Sequence, residues 1–221
     1  MNKPNYTALL KEFTGDDEMR EFTNTPFAVG DRAMATDAHA MVIIDAALAP
    51  DVLPIANYDP NNILAIIPTY RESIGFITLE QIREILKKCP KVEKTEYCPC
   101  CQGEGEVEYS FEYDGTEYLE DYDCPICDGI GGVPMDPPQK EVDSNKRIKI
   151  GLAYFSAKYI FKLGLACKYT STDRIEITHQ IAHNEGAIFS LNKADLLIMP
   201  VLTEAGDENI IGEIKIETDA S

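Results

Sequence analysis

Two short stretches of this sequence are copies of one another. Cys98-Pro99-Cys100-Cys101-Gln102-Gly103-Glu104-Gly105 and Cys124-Pro125-Ile126-Cys127-Asp128-Gly129-Ile130-Gly131 both read Cys-Pro-x-Cys-x-Gly-x-Gly, each position recurring 26 residues on. Two such knuckles supply four thiolates, the donor set of a closed tetrahedral structural zinc site. A knuckle wraps its backbone tightly around the sulfurs with amides turned towards them, and glycine tolerates the positive φ angles that this needs. Four unrelated buried cysteines would give no reason for the prolines and glycines to repeat with them. Cys98, Cys101, Cys124 and Cys127 are therefore the expected ligands of one structural zinc ion. Cys100 is left over inside the first knuckle, as a competing ligand, a redox-active thiol or an incidental residue. Cys89 and Cys167 read as a helix-end and a core cysteine.

Composition narrows the setting. With 221 residues, 44% hydrophobic and 26% charged, the chain can bury a sizeable core as one large domain or two small ones. No apolar run approaches the roughly 20 residues of a membrane span. The stretch Met1-Asn2-Lys3-Pro4-Asn5-Tyr6 has no signal-peptide h-region, and an odd count of seven cysteines suits a reducing compartment, so a cytoplasmic protein is expected. A formal charge of −18 argues against a surface basic overall that coats nucleic acid, while leaving room for a local basic stripe. Between the knuckles lie nine acids (Glu104, Glu106, Glu108, Glu112, Asp114, Glu117, Glu120, Asp121 and Asp123) and no Lys or Arg. Such a segment repels phosphates and points to a protein partner.

Patterning divides the rest. Tyr6–Thr14 predicts a short helix with Leu9, Leu10 and Phe13 on one face. Phe27–Thr36 predicts two strands around a Gly30-Asp31 turn, and Ala40–Ile44 a third. The proline-spotted stretch from Pro50 to Pro68 reads as irregular except for Ile63–Ile67, expected as a buried strand. Thr78 and Gln81 form a capping box for a helix over Leu79–Lys88, ended by Pro90. Inside the cysteine module, Val107, Tyr109, Phe111 and Tyr113 alternate with polar residues, Asp114-Gly115 supplies a hairpin turn, and Tyr118 lies on the return strand. Beyond it come a strand at Arg147–Leu152, a helix over Phe155–Tyr169 and strands at Arg174–Thr178, Ala187–Leu191 and Leu196–Leu202. Ile210–Ile216 reads as an edge strand in an acidic tail whose last residues are expected to be mobile.

Two resemblances follow. The knuckles resemble the Cys-x-x-Cys-x-Gly-x-Gly repeats of DnaJ-type co-chaperones, over about fifty residues by the zinc-site spacing logic. Here there are two repeats rather than four, and no His-Pro-Asp signature. Separately, Arg32-Ala33-Met34-Ala35-Thr36-Asp37-Ala38-His39-Ala40-Met41-Val42 is similar to the Ala-Thr-Asp-Gly-His-Arg-Leu signature of bacterial sliding clamps, the β subunit of the replicative polymerase, with Ala38 in place of the glycine and Ala40 in place of the arginine. The strand–helix–three-strand order after residue 147 and the ending Ala194–Leu202, with Met199-Pro200, resemble a clamp repeat.

These resemblances imply an α+β fold: a DNA-clamp-like repeat of antiparallel sheets with two helices, carrying a zinc-ribbon hairpin insertion. The expected divisions are 1–88 and 140–203 for the clamp-like domain, 89–139 for the insertion and 204–221 for the acidic tail. The clamp resemblance implies a non-enzymatic DNA replication accessory protein whose helices face double-stranded DNA, with Lys11, Lys158, Lys162 and Lys168 as the DNA-facing cations. A ring would need several copies of the chain; alternatively the domain works without encircling DNA. Asp37 and His39 are expected to hold a hairpin turn and do no chemistry. No nucleophile elbow, phosphate loop or dinucleotide fingerprint is present, and His179-x-x-x-His183 falls at a strand end rather than on a helix. The alternative is a zinc-dependent interaction or chaperone-like adaptor contacting its partner through Tyr109, Phe111, Tyr113 and Tyr118. A thiol redox protein using Cys100 is a third reading.

Overall fold

Asn5 starts the first helix, α1 (Tyr6–Lys11), by accepting the Ala8 amide on its side chain. The computed structural model describes residues 3–15, 18–54, 59–204 and 206–219. After α1, strands β1 (Phe27–Val29), β2 (Arg32–Thr36) and β3 (Ala40–Asp45) form an antiparallel meander where alternation predicts one. The apolar run expected as a buried strand is instead part of a helix, α2 (Pro60–Ala65). The reason is local. Asp59 accepts the Asn61 amide as an N-cap, and Pro60 brings a helical φ to the first turn. Ile63 and Ile67, four residues apart, then share a buried side while Ile66 stays 59% exposed. Residues 55–58 of that proline-spotted stretch lie outside the described residues.

Strand β4 (Gly75–Thr78) leads into α3 (Leu79–Lys87), whose start carries the capping box that the sequence predicts: Thr78 Oγ1 accepts the Gln81 amide, and Gln81 Oε1 accepts the Thr78 amide at 2.8 Å. Then come β5 (Lys91–Glu93), β6 (Thr95–Tyr97), β7 (Glu106–Tyr113), β8 (Thr116–Asp123), β9 (Gly132–Pro134) and β10 (Lys140–Val142). The chain continues through β11 (Arg147–Ile150), β12 (Ala153–Ser156), α4 (Ala157–Thr170), β13 (Arg174–His179), β14 (Ala187–Leu191), β15 (Ala194–Ile198) and β16 (Ile210–Ile214). Helix α4 begins two residues later than predicted because Phe155 belongs to β12, and Ser156 serves as the N-cap.

The chain divides into two units, one made of the residues up to Pro90 with those from Asp143 onward, the other of Lys91–Val142. In the first unit, seven strands form one sheet in the order β1-β2-β3-β15-β14-β13-β4, and the strand pairs within it are antiparallel. That order contains a repeat. A helix followed by a three-stranded meander occurs twice, as α1-β1-β2-β3 and as α4-β13-β14-β15. The two copies meet at the β3/β15 pair, where Val42 lies opposite Leu196. An antiparallel pair at the centre of a mirrored strand order relates the two meanders by a local two-fold axis.

Alternation then sorts the core into layers. Met34, Met41, Ile43, Ile188 and Leu197 pack with Ile63 and Ile67 under α2. The intervening Ala33, Ala35 and Val42 are fully buried, in strands that contact α1. Strands β12, β11 and β16 form a separate three-stranded sheet in which β16 runs parallel to β11. The acidic tail is tied down by ion pairs: Asp207 with Arg147, Glu213 with Lys149 at 3.5 Å, and Asp219 with Arg174 at 2.7 Å. The end of the chain, expected to be mobile, falls at 220–221, outside the described residues. The architecture is thus α+β, with sheets that are antiparallel except at the β11/β16 pair and with few helices. Among the described residues no helix is long and apolar enough to cross a membrane.

The second unit is built from two-stranded pieces: β5 with β10, β6 with β9, and β7 with β8. Its buried centre is Cys98, Cys101, Cys124 and Cys127, with Val107 and Val133 packed against them. A unit with so little apolar core needs another source of cohesion.

Candidate functional site

The sequence repeat reappears as a repeat of geometry. Gln102, Gly103 and Gly105 have φ of 55°, 101° and 83°, and Asp128, Gly129 and Gly131, 26 positions on, have 51°, 78° and 78°. The Gly105 amide donates to Cys101 Sγ at 3.2 Å, and the Gly131 amide donates to Cys127 Sγ at 3.2 Å. The knuckles also hold each other: Cys98 N–H donates to the Gly131 carbonyl at 2.9 Å and Cys124 N–H to the Gly105 carbonyl at 2.7 Å. A Cβ at Gly105 would run into the Gly129 carbonyl, and one at Gly131 into the Gly103 carbonyl, so both sites demand glycine on contact grounds as well as on φ.

The four sulfurs fit a metal ion. All lie within 4.8 Å of one another and all four residues are buried. Cys98 Sγ is 3.8 Å from Cys124 Sγ, and Cys101 Sγ is 3.7 Å from Cys127 Sγ. A regular tetrahedron with metal–sulfur bonds of about 2.3 Å has edges of about 3.8 Å. The sulfurs are not electrostatically alike: burial and hydrogen bonds with the neighbouring thiols push Cys127 up to about 12, while, against burial, the Ile126 and Cys127 amides draw Cys124 down to about 6. Cys100 is exposed beside this core. Cys167 is buried in α4, where burial pushes its thiol up to about 12.

Between the knuckles, β7 and β8 pair in full register and turn at Asp114-Gly115, both with positive φ (50° and 74°). Val107, Tyr109, Phe111 and Tyr113 share one face with Tyr118, Glu120 and Tyr122. Phe111 stacks on Tyr118 at 5.2 Å, and Tyr109 meets Tyr122 edge-on at 5.7 Å. Tyr122 was not among the candidate contact residues, although its spacing of four from Tyr118 puts it on the same face of a strand. The opposite face places Glu106 across from Asp123, Glu108 from Asp121 and Glu112 from Glu117.

In the first unit the Thr36–Ala40 turn is built as the residue types suggest. Thr36 Oγ1 donates to the Ala40 carbonyl at 2.8 Å and accepts the Ala38 amide at 3.0 Å, while Asp37 Oδ1 accepts the Ala40 amide at 3.0 Å. Ala38 sits at φ 70°, a left-handed conformation that costs an L-residue about 1 kcal/mol. Replacing Ala38 with Gly should therefore raise stability by about 0.5–1 kcal/mol in urea unfolding, with an unchanged m-value.

The other Asp37 oxygen has a role that sequence reasoning missed. It accepts from Lys162 Nζ at 3.0 Å and from the Tyr159 hydroxyl at 3.2 Å, with Lys158 Nζ at 3.9 Å. Burial works against the charged carboxylate, but the Lys162 ammonium, the Ala40 amide and Lys158 together hold Asp37 below the usual carboxylate range. Burial and the Asp37 charge keep the Tyr159 hydroxyl protonated. The signal was the placement of Lys162 on the apolar side of α4, where its ammonium also lies 5.2 Å from the Phe13 ring. Of the candidate DNA-facing cations, Lys11 and Lys168 are exposed and Lys158 is half-exposed, whereas the Lys162 side chain is 13% exposed and committed to Asp37. His39 packs its ring 6.3 Å from Tyr159, and His179 bonds the Tyr70 carbonyl through Nδ1 at 2.8 Å.

Fold and site together define an α+β protein with an internally repeated helix–three-strand body and a four-thiol metal-site unit. Among solved structures its backbone is similar to the DNA polymerase III beta subunit from Thermotoga maritima (TM-score 0.46, 14% identity, 90% of this chain and 64% of that one). It is similar also to the DNA polymerase sliding clamps from Pseudomonas aeruginosa (TM-score 0.46, 11% identity, 90% and 65%) and Bacillus subtilis (TM-score 0.45, 14% identity, 92% and 67%). The chain spans a little under two-thirds of the first two structures. No protein-family model matches the chain, and no curated relative does. These are likenesses of backbone path at low identity, and none of them fixes an activity.

Proposed function

We propose that this chain is a non-enzymatic, clamp-like accessory protein of DNA replication, cytoplasmic, carrying a structural zinc ribbon. The observation that carries the reading is the duplicated helix–three-strand order meeting at the β3/β15 pair, built around the Thr36-Asp37-Ala38-His39 turn whose sequence resembles the clamp signature. A clamp acts through shape and charge. Helices hold cations towards the duplex, and loose phosphate contacts let DNA slide. Exposed Lys11 on α1, with Lys158 and Lys168 on α4, supplies such cations, while the ammonium of Lys162 neutralises Asp37 and braces the turn.

The zinc reading rests on the sulfur geometry. Cys98, Cys101, Cys124 and Cys127 would hold the ion, which supplies folding free energy to the inserted unit and takes no part in chemistry. The acids between the knuckles keep that unit off phosphate, so DNA contact is assigned to the repeated body.

The test uses topology. The zinc-loaded chain, incubated with nicked circular DNA and separated by gel filtration, should co-elute with the circle and fall off when the circle is cut once. Lys158→Glu with Lys168→Glu should lower retention about tenfold, and added salt should weaken it for the native chain. A strict monomer that ignores both circular and linear DNA would remove the clamp reading.

A further inference from the structure

The β7/β8 ribbon is the largest feature that the clamp reading leaves without a task. Both strands pair only with each other, and the aromatic face lies open: Tyr109 is 49% exposed, Phe111 50%, Tyr113 72%, Tyr118 44% and Tyr122 51%. An exposed aromatic strip of this size on a soluble chain marks a contact surface. The charge around it is one-sided. Among the described residues no ion pair engages any of the nine acids between the knuckles. Three carboxylate pairs stand directly across the strands from each other, at Glu106/Asp123, Glu108/Asp121 and Glu112/Glu117, an arrangement that weakens a hairpin.

We infer that the aromatic face of this ribbon docks a basic segment of a partner protein, an extended stretch carrying arginine or lysine at alternate positions. Spacing and charge both favour this occupant. Successive rings on β7 repeat every second residue, about 7 Å apart, which is the spacing of alternate side chains in an extended peptide. The aliphatic stem of an arginine covers apolar ring surface and its guanidinium gains from the ring face, while its head reaches Glu120 on the same face or the carboxylates just over the ribbon edge. Nucleic acid would find rings to stack on but meet only negative charge. A second copy would bring the same run of uncompensated acids and be repelled. The inference stands apart from the clamp reading and does not need DNA to be bound.

The experiment uses the zinc-loaded full chain and a short labelled synthetic peptide alternating Arg with Thr, followed by fluorescence anisotropy at low and high salt. Two controls are a Gln-for-Arg peptide and a single-stranded oligonucleotide. The variants are Phe111→Ser with Tyr118→Ser, and Glu112→Gln with Glu117→Gln and Glu120→Gln, each first checked for native zinc content. The basic peptide should bind the native chain, weaken at high salt and lose about tenfold or more in affinity with either variant. The Gln peptide and the oligonucleotide should not bind. Equal binding to the aromatic variant, equal binding of the Gln peptide, capture of the oligonucleotide, or a concentration-dependent dimer that Phe111→Ser with Tyr118→Ser dissolves would each overturn the assignment.

Discussion

Stripping zinc from the loaded chain with a chelator will unfold residues 91–142 and leave the seven-stranded body standing. The second unit has no apolar core beyond its four cysteines and the two valines packed on them, and its strands occur only in pairs. Isolated two-stranded ribbons are marginal in water, so on the zinc reading it is the ion that would supply the cohesion. Binding of structural zinc to four thiolates is worth on the order of 10 kcal/mol. Hydrogen exchange reads the outcome by segment. Amides of β7, β8 and the knuckles, including the Cys98 and Cys124 N–H groups that bridge them, should lose protection, while β3, β14 and β15 keep theirs. Cys124→Ser should reproduce the pattern without chelator. Continued protection of β7 and β8 after complete metal removal would mean that the ribbon is held by something else.

Asp37→Ala should be the most damaging single change in the body, costing about 3–5 kcal/mol in urea unfolding. It strands the Lys162 ammonium in a site where that side chain is 13% exposed, and it also strips the Ala40 amide of its acceptor. Asp37→Ala combined with Lys162→Met should recover most of the loss, because the cost comes from the orphaned charge rather than from missing attraction. The pH dependence has a definite sign. The folded-state pKa of Asp37 is depressed, so the contribution of this group is fully present above its unfolded value, about 3.9, and is lost as pH falls through the lower folded value. The native chain should therefore lose this share of stability only on strong acidification, and Asp37→Asn should flatten that part of the profile. Recovery by the double variant no better than by Asp37→Ala alone would show that the turn, and not the ion pair, carries the energy.

What could be read from the sequence, and what could not, follows from the range of the interactions. The knuckles were legible because tetrathiolate geometry imposes its spacing and its glycines within eight residues. The three β1–β3 strands and the α3 capping box were legible for the same reason, through alternation, a Gly-Asp turn and the Thr78–Gln81 pair. Ile63–Ile67 misled because a short apolar run has no period of its own. Asp59 and Pro60, just before it, decided for helix. The Asp37–Lys162 pair could not be found from spacing at all. It joins positions 125 apart through the packing of α4 on the β2–β3 turn, and α4 alone offers only the hint of a lysine on its apolar side, with nothing to name Asp37 as its partner. The short strands β5, β6, β9 and β10 have too few residues to show alternation.

The claim that binds these parts is that the repeated helix–three-strand body acts as a clamp element. Mass photometry and electron microscopy of the zinc-loaded chain with nicked circular DNA test it most directly. The account predicts closed rings of several copies, with α1 and α4 lining a hole wide enough for a duplex and Lys158 and Lys168 facing it. Monomers on free and DNA-containing grids alike, with α4 turned away from any bound duplex, would contradict it.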